Sequence, residues 1–116
     1  MDLTPRALSP AEKQVVERLL SEDFPGVADL SAQLAGATVS PIDLNGSFKF
    51  HVAPERRASV QGRVPVEAEY EDFDGITVHV LLHVIDGLLD EIEVYRDDSG
   101  SIIRPADPSS FRVMTL

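Results

Sequence analysis

The second half of the chain holds side chains of the types that acid–base and metal chemistry uses, at spacings a β-sheet could bring together. They are Glu69, His79 and Glu93, with Glu67 and Glu91 beside them. If their three segments are adjacent antiparallel strands, the intervening turns place Glu69 opposite His79 and His79 opposite Glu93. Directly opposed residues have Cβ atoms about 4.5–5.5 Å apart. A Glu69–His79–Glu93 row could then hold a divalent cation, or orient an imidazole as a general base between two carboxylates. The plainer expectation, and the one taken here, is a solvated row of ion pairs with no metal and no cofactor. In the same pattern Glu67 and Glu91 flank Leu81, and His83 lies one step further along with Leu89.

His79 and His83 also form an H-x3-H pair, which on a helix is metal-ligand spacing. On a strand four residues span about 13 Å, at roughly 3.3 Å each, too far for one ion. Val78, Val80, Val84 and the flanking glycines favour a strand. His51 stands alone and reads as structural. The chain has no G-x-S-x-G elbow, no phosphate-binding loop, no G-x-G-x-x-G and no H-E-x-x-H. It has no tryptophan, and Tyr70 and Tyr95 lie inside expected strands, so no aromatic platform for nucleic acid is expected. Arg56-Arg57-Ala58-Ser59 resembles a basophilic kinase substrate, a four-residue pattern that chance supplies often.

The strands that would position the row are marked by three glycines. Phe73-Asp74-Gly75, Ile85-Asp86-Gly87 and Asp98-Ser99-Gly100 recur at intervals of 12 and 13 residues, with β-branched segments between them. This is the pattern of a β-meander. A three-residue loop ending in left-handed glycine at Gly75 sets Tyr70 opposite Val78, Ala68 opposite Val80, Val66 opposite Leu82 and Val64 opposite Val84. The same loop at Gly87 sets Val84 opposite Leu88, Val80 opposite Ile92 and Val78 opposite Val94. Both registers bury the same face, and a one-residue slip would ruin either. Asp90 is the misfit, landing opposite Leu82 on the apolar side. The third turn predicts a short fifth strand, Ser101 to Arg104, stopped by Pro105 and Pro108. Phe111, Val113 and Met114 give the tail a means of docking.

Upstream, Ser9-Pro10-Ala11-Glu12 reads as a helix start with a capping box and proline at the first helical position. Val15, Val16, Leu19 and Leu20 fall on one stripe, and the helix ends near Glu22, before Phe24-Pro25-Gly26. Val27, Leu30 and Leu34 predict a second short helix ending at Gly36. Residues 37 to 45 are ambiguous; Thr38 and Val39 favour a strand that Pro41 limits to an edge. Asn45-Gly46 marks a turn. Phe48, Phe50 and Val52 alternate with polar neighbours as in a strand with one apolar face. Ala53 to Arg63 is the longest loop, and it carries Arg56, Arg57 and Arg63.

The fold class expected is therefore α+β: two N-terminal helices packed on one face of a four- or five-stranded antiparallel meander sheet. One domain spans residues 1–116, and hydrophobic content of 43% is enough for a core. The absence of cysteine excludes disulfides and thiolate sites and suits a reducing cytoplasm. The N-terminus MDLTPRALSPAEK has no apolar h-region, so no secretory leader is expected. No apolar stretch approaches a membrane span.

The formal net charge is −10, and it lies in the meander. From Val64 to Asp98 there are eleven acids and one base, Arg96, while the remainder is neutral. Nucleic acid and anionic membranes are poor partners for such a surface. A basic protein or a cation is a better one.

Val64-Pro65-Val66-Glu67-Ala68-Glu69, Leu82-His83-Val84-Ile85-Asp86-Gly87 and the run Leu89 through Asp98 resemble a family of small uncharacterised proteins, mostly from actinomycetes. The N-terminal helix fits too. That family has no assigned activity, so the resemblance implies no functional residue. The function expected from the residues is a non-enzymatic accessory or protein-interaction domain that uses the acidic sheet face. An enzyme built on the Glu-His-Glu row and a small-ligand-binding module with a pocket between sheet and helices are the alternatives.

Overall fold

In the computed structural model, which describes residues 2–116, two helices cover one face of a seven-stranded antiparallel sheet. The strands are β1 (Arg6–Ala7), β2 (Thr38–Pro41), β3 (Phe48–His51), β4 (Val66–Glu71), β5 (Thr77–Ile85), β6 (Leu88–Arg96) and β7 (Arg112–Thr115). They lie in the order β1-β2-β3-β6-β5-β4-β7. The α+β class stands, but the sheet is larger than four or five strands. Only β4-β5-β6 is a meander. β3 joins it through β6, and the tail adds β7 along β4.

Helix α1 (Pro10–Leu20) begins as its sequence dictates. The Ser9 side chain accepts the Glu12 N–H and the Glu12 carboxylate accepts the Ser9 N–H, so two orphan donors of the first turn are satisfied. Helix α2 (Val27–Leu34) follows the Phe24-Pro25-Gly26 break. Their apolar stripes meet the sheet, with α1 against β4 and α2 against β6. Val66, Ala68, Val78, Val80, Leu82, Ile92 and Val94 are buried together with Val16, Leu19, Leu20 and Leu30, the face that the alternation selected. Gln33 of α2 pins the β5–β6 turn: its amide donates to the carbonyls of Arg56 and Gly87, and its oxygen accepts the Leu89 N–H.

Residues 38–41 are a strand, and Pro41 is tolerated at its end because β1 pairs only with Thr38 and Val39. The side of β2 beyond Pro41 is open, so no donor is missed there.

The first hairpin has the expected register, from Glu71–Thr77 to Val66–Leu82, and Gly75 is left-handed at φ +85°. Beyond Val66 the chain leaves the ladder, and the Val84 N–H donates to the Arg63 carbonyl at 2.7 Å instead of pairing with Val64. The second hairpin differs. Asp86 and Gly87 both have positive φ, +54° and +75°. They form a two-residue loop with Ile85 opposite Leu88, the geometry whose twist matches the strands. A β-bulge then leaves Asp90 unpaired between Val84–Leu89 and His83–Glu91. Each event shifts β6 by one residue. Val80 therefore faces Val94, not Ile92, and Val78 faces Arg96, not Val94. Two shifts of one residue preserve side-chain parity, which is why the buried face is unchanged and why Asp90 is the one misfit in the alternation.

The expected strand at Ser101–Arg104 does not form. Ser99, not Gly100, takes the positive φ in the third turn. The N–H groups of Ile103 and Arg104, which a ladder would have used, donate to the Asp72 carboxylate. The chain thus crosses beneath the β4–β5 turn and returns as β7, with Phe111 buried and stacked on Tyr70.

Candidate functional site

The sheet face turned away from the helices carries the candidate residues. Alternation presents Glu67, Glu69 and Glu71 from β4, His79, Leu81 and His83 from β5, and Glu91, Glu93 and Tyr95 from β6. β7 contributes Arg112 and Met114 next to Glu69 and Glu67.

The Glu69–His79–Glu93 row is not assembled. Glu69 does face His79, as expected. Its carboxylate, however, accepts from Arg112 at 3.1 Å, and the same guanidinium reaches Glu71 at 2.7 Å. His79 faces Tyr95, because β6 is shifted by two residues. The two rings stack with centroids 4.9 Å apart, and His79 Nε2 lies 2.5 Å from Asp97 Oδ1. Glu93 faces Leu81 and turns to His83. His51 is a structural partner of Ser40, Nε2 to Oγ 2.9 Å.

The structure builds a different group at the end of β5. His83 Nε2 lies 2.8 Å from Glu93 Oε1, and Arg63 Nε donates to His83 Nδ1 at 3.0 Å. An arginine Nε always carries hydrogen, so Nδ1 is the acceptor and Nε2 holds the imidazole proton that Glu93 accepts. Glu91 is the cross-strand neighbour of His83. One ligand atom from each of His83, Glu91 and Glu93 lies within 4.8 Å of the others. Sequence reasoning missed this group because the bulge decides it; the misplaced Asp90 was the signal.

Six of the meander's eleven acids pair with three bases, two of which, Lys49 and Arg112, come from outside the segment. Lys49 pairs with Asp90, and Arg112 pairs with Glu69 and Glu71. Arg96 gathers Asp72, Asp74 and Asp98. The carboxylates of Glu67, Glu91, Glu93 and Asp97 have no lysine or arginine ion-pair partner among the described residues. Partial burial, then the charges of Glu93, Asp97 and Glu67, push the Tyr95 hydroxyl pKa above its ordinary value, the direction a negative field produces.

A cleft of about 240 Å³, open to solvent beside the exposed Leu44, lies between α1 and the sheet, and Val15, Phe48, Ile92, Val94, Ile102 and Ala106 are among the residues that line it. No described helix is long and apolar enough to cross a membrane.

Residues 5–106 match one protein family, whose description is Domain of unknown function (DUF6984). The match covers both α-helices and every strand but β7, and it accords with the resemblance to an uncharacterised family. No curated protein and no solved structure matches the chain.

Proposed function

The chain belongs to the DUF6984 family, whose description assigns no activity, and from that premise we propose on geometry that it is a non-enzymatic accessory or interaction domain. Its open sheet face docks a basic protein segment. The observation that carries this reading is the set of carboxylates, Glu67, Glu91, Glu93 and Asp97, on a face that no helix covers: none pairs with a lysine or arginine among the described residues, and Glu93 and Asp97 meet only the imidazoles of His83 and His79. Charge complementarity of this kind steers encounter and selects partners, and it disfavours nucleic acid and anionic membranes. A cysteine-free chain suits the bacterial cytoplasm as its setting.

Titration with an arginine-rich peptide in chelator-treated buffer tests the proposal. Binding is expected to weaken steeply as salt rises, and Glu67→Lys is expected to weaken it about tenfold or more. Glu17→Lys on the exposed side of α1 is the control and leaves it unchanged. Binding that ignores salt, or that responds equally to both reversals, overturns the assignment of the surface.

A second reading, a small-ligand-binding module, is favoured by the cleft between α1 and the sheet. The cleft is open to solvent beside Leu44 but its floor is apolar, and an apolar cavity of about 150 Å³ can bind benzene. Indole is the matching probe. Saturable indole binding that Ala106→Phe abolishes supports this reading, and no binding removes it.

A further inference from the structure

We infer that His83, Glu91 and Glu93 form a site for a divalent first-row cation such as zinc. The donor set is one imidazole nitrogen and two carboxylate oxygens, the borderline mixture such ions accept. The three ligand atoms already lie within 4.8 Å of one another. Metal–ligand bonds of about 2.0–2.2 Å need only small side-chain adjustments to close on one ion. The His83 ring is preorganised: its side chain is only 13% exposed, and it is gripped at both nitrogens. Two carboxylates lie beside it without a lysine or arginine of their own, since Lys49, the cross-strand neighbour of Glu91, is taken by Asp90. A cation supplies the missing charge. Three ligands from one sheet face leave a fourth position open to water or to a partner's side chain.

Arg63 sets the condition for occupancy. A metal-bound imidazole ordinarily donates its second N–H to an acceptor. Here Arg63 Nε donates to Nδ1 instead. A cation on Nε2 displaces the proton that Glu93 accepts, and the neutral ring carries its proton on Nδ1. Two N–H groups would then face each other, so Arg63, an exposed side chain, must swing out. Arg63 is thus a gate that opposes the metal and links its binding to the end of the 53–63 loop. The inference is independent of the basic-partner reading, which is probed without metal.

Calorimetric titration of the full chain with zinc alone tests it. One ion per chain is expected. His83→Ala, Glu91→Gln and Glu93→Gln each weaken binding about tenfold or more. His79→Ala leaves it unchanged, because His79 is engaged with Asp97 and Tyr95. Arg63→Gln tightens it, since the carboxamide oxygen can accept from Nδ1–H. If His83→Ala does not fold, the nitrogen chemical shifts of His83 on zinc addition decide: Nε2 must lose its proton and Nδ1 gain one. No saturable binding, equal loss on substituting His79, or weaker binding in Arg63→Gln each overturns the site.

Discussion

Arg96 Nη1 lies 2.9 Å from Asp72 Oδ2, with both side chains almost wholly out of water. The same guanidinium donates to Asp74 and Asp98, while Asp72 accepts backbone N–H groups from Phe73, Ile103 and Arg104. One ion pair thereby joins the β4–β5 turn to the chain that follows β6. Burial acts to raise the Asp72 carboxyl. Donation from Ile103, Phe73 and Arg104, then from Arg96, outweighs it and holds the group at about 2. Arg96, then the Gly100 N–H, holds Asp98 at about 2 as well.

Acid should therefore loosen this junction. Both carboxyls have folded values below the ordinary 3.8. Their stabilisation is fully present above about pH 4 and is lost as pH falls toward about 2. Denaturant midpoints measured across that window should fall for the native chain and fall less for Asp98→Asn; parallel curves would show that the pair contributes nothing. Arg96→Leu strands the Asp72 carboxylate and should lower the midpoint at neutral pH more than Arg18→Leu, which breaks only the partly exposed contacts with Ser21 and Glu22.

Leu82 is fully buried under the helices. Leu82→Ala removes methyl groups from the centre of the sheet and leaves a cavity. The expected cost is about 2–5 kcal/mol, read from equilibrium unfolding; a loss within error would mean that the core collapses to fill the space.

The two hairpin glycines are not equivalent. At Gly75 a Cβ meets nothing within 4 Å, so Gly75→Ala should cost only the left-handed strain, about 1–2 kcal/mol. At Gly87 a Cβ would stand 2.6 Å from the Ala58 carbonyl oxygen. Gly87→Ala must move backbone that is itself held by the Ala58 N–H to Gly87 carbonyl bond of 2.8 Å. Thermal midpoints of the two variants should rank accordingly, and equal losses would place the strain in φ alone.

Deleting Asp90 should be tolerated. The bulge residue has no cross-strand partner, so its removal leaves Leu89 facing in, Glu91 facing out and the Val80–Val94 pair in place. The cost is the Lys49 contact. Deleting Leu81, which is paired on both sides, turns the faces of β5 over and should abolish folding. Cross-strand nuclear Overhauser contacts between Val80 and Val94 report the register in the Asp90 variant, and their loss would show that the bulge is required.

The sequence by itself determined what local chemistry and parity decide. Ser9 and Glu12 specify the start of α1, and Asp74-Gly75 specifies a left-handed turn and the register that follows it. The alternation from Val66 to Val94 specifies which face is buried, since a period of two survives any even shift. It also carried the acidity of the meander and the likeness to an uncharacterised family. Only the tertiary structure decided what depends on where distant segments come to rest. It chose the two-residue turn at Asp86-Gly87 with the compensating bulge at Asp90, which parts Glu93 from His79 and gives it to His83. It brought Arg63 and Arg112 from outside the acidic segment to particular side chains on the sheet. It let Asp72 take the N–H groups that a fifth strand needed, so the tail became the edge strand instead. Each of these outcomes is a competition for one donor or one carboxylate among residues far apart in the chain, and no local pattern records who wins it.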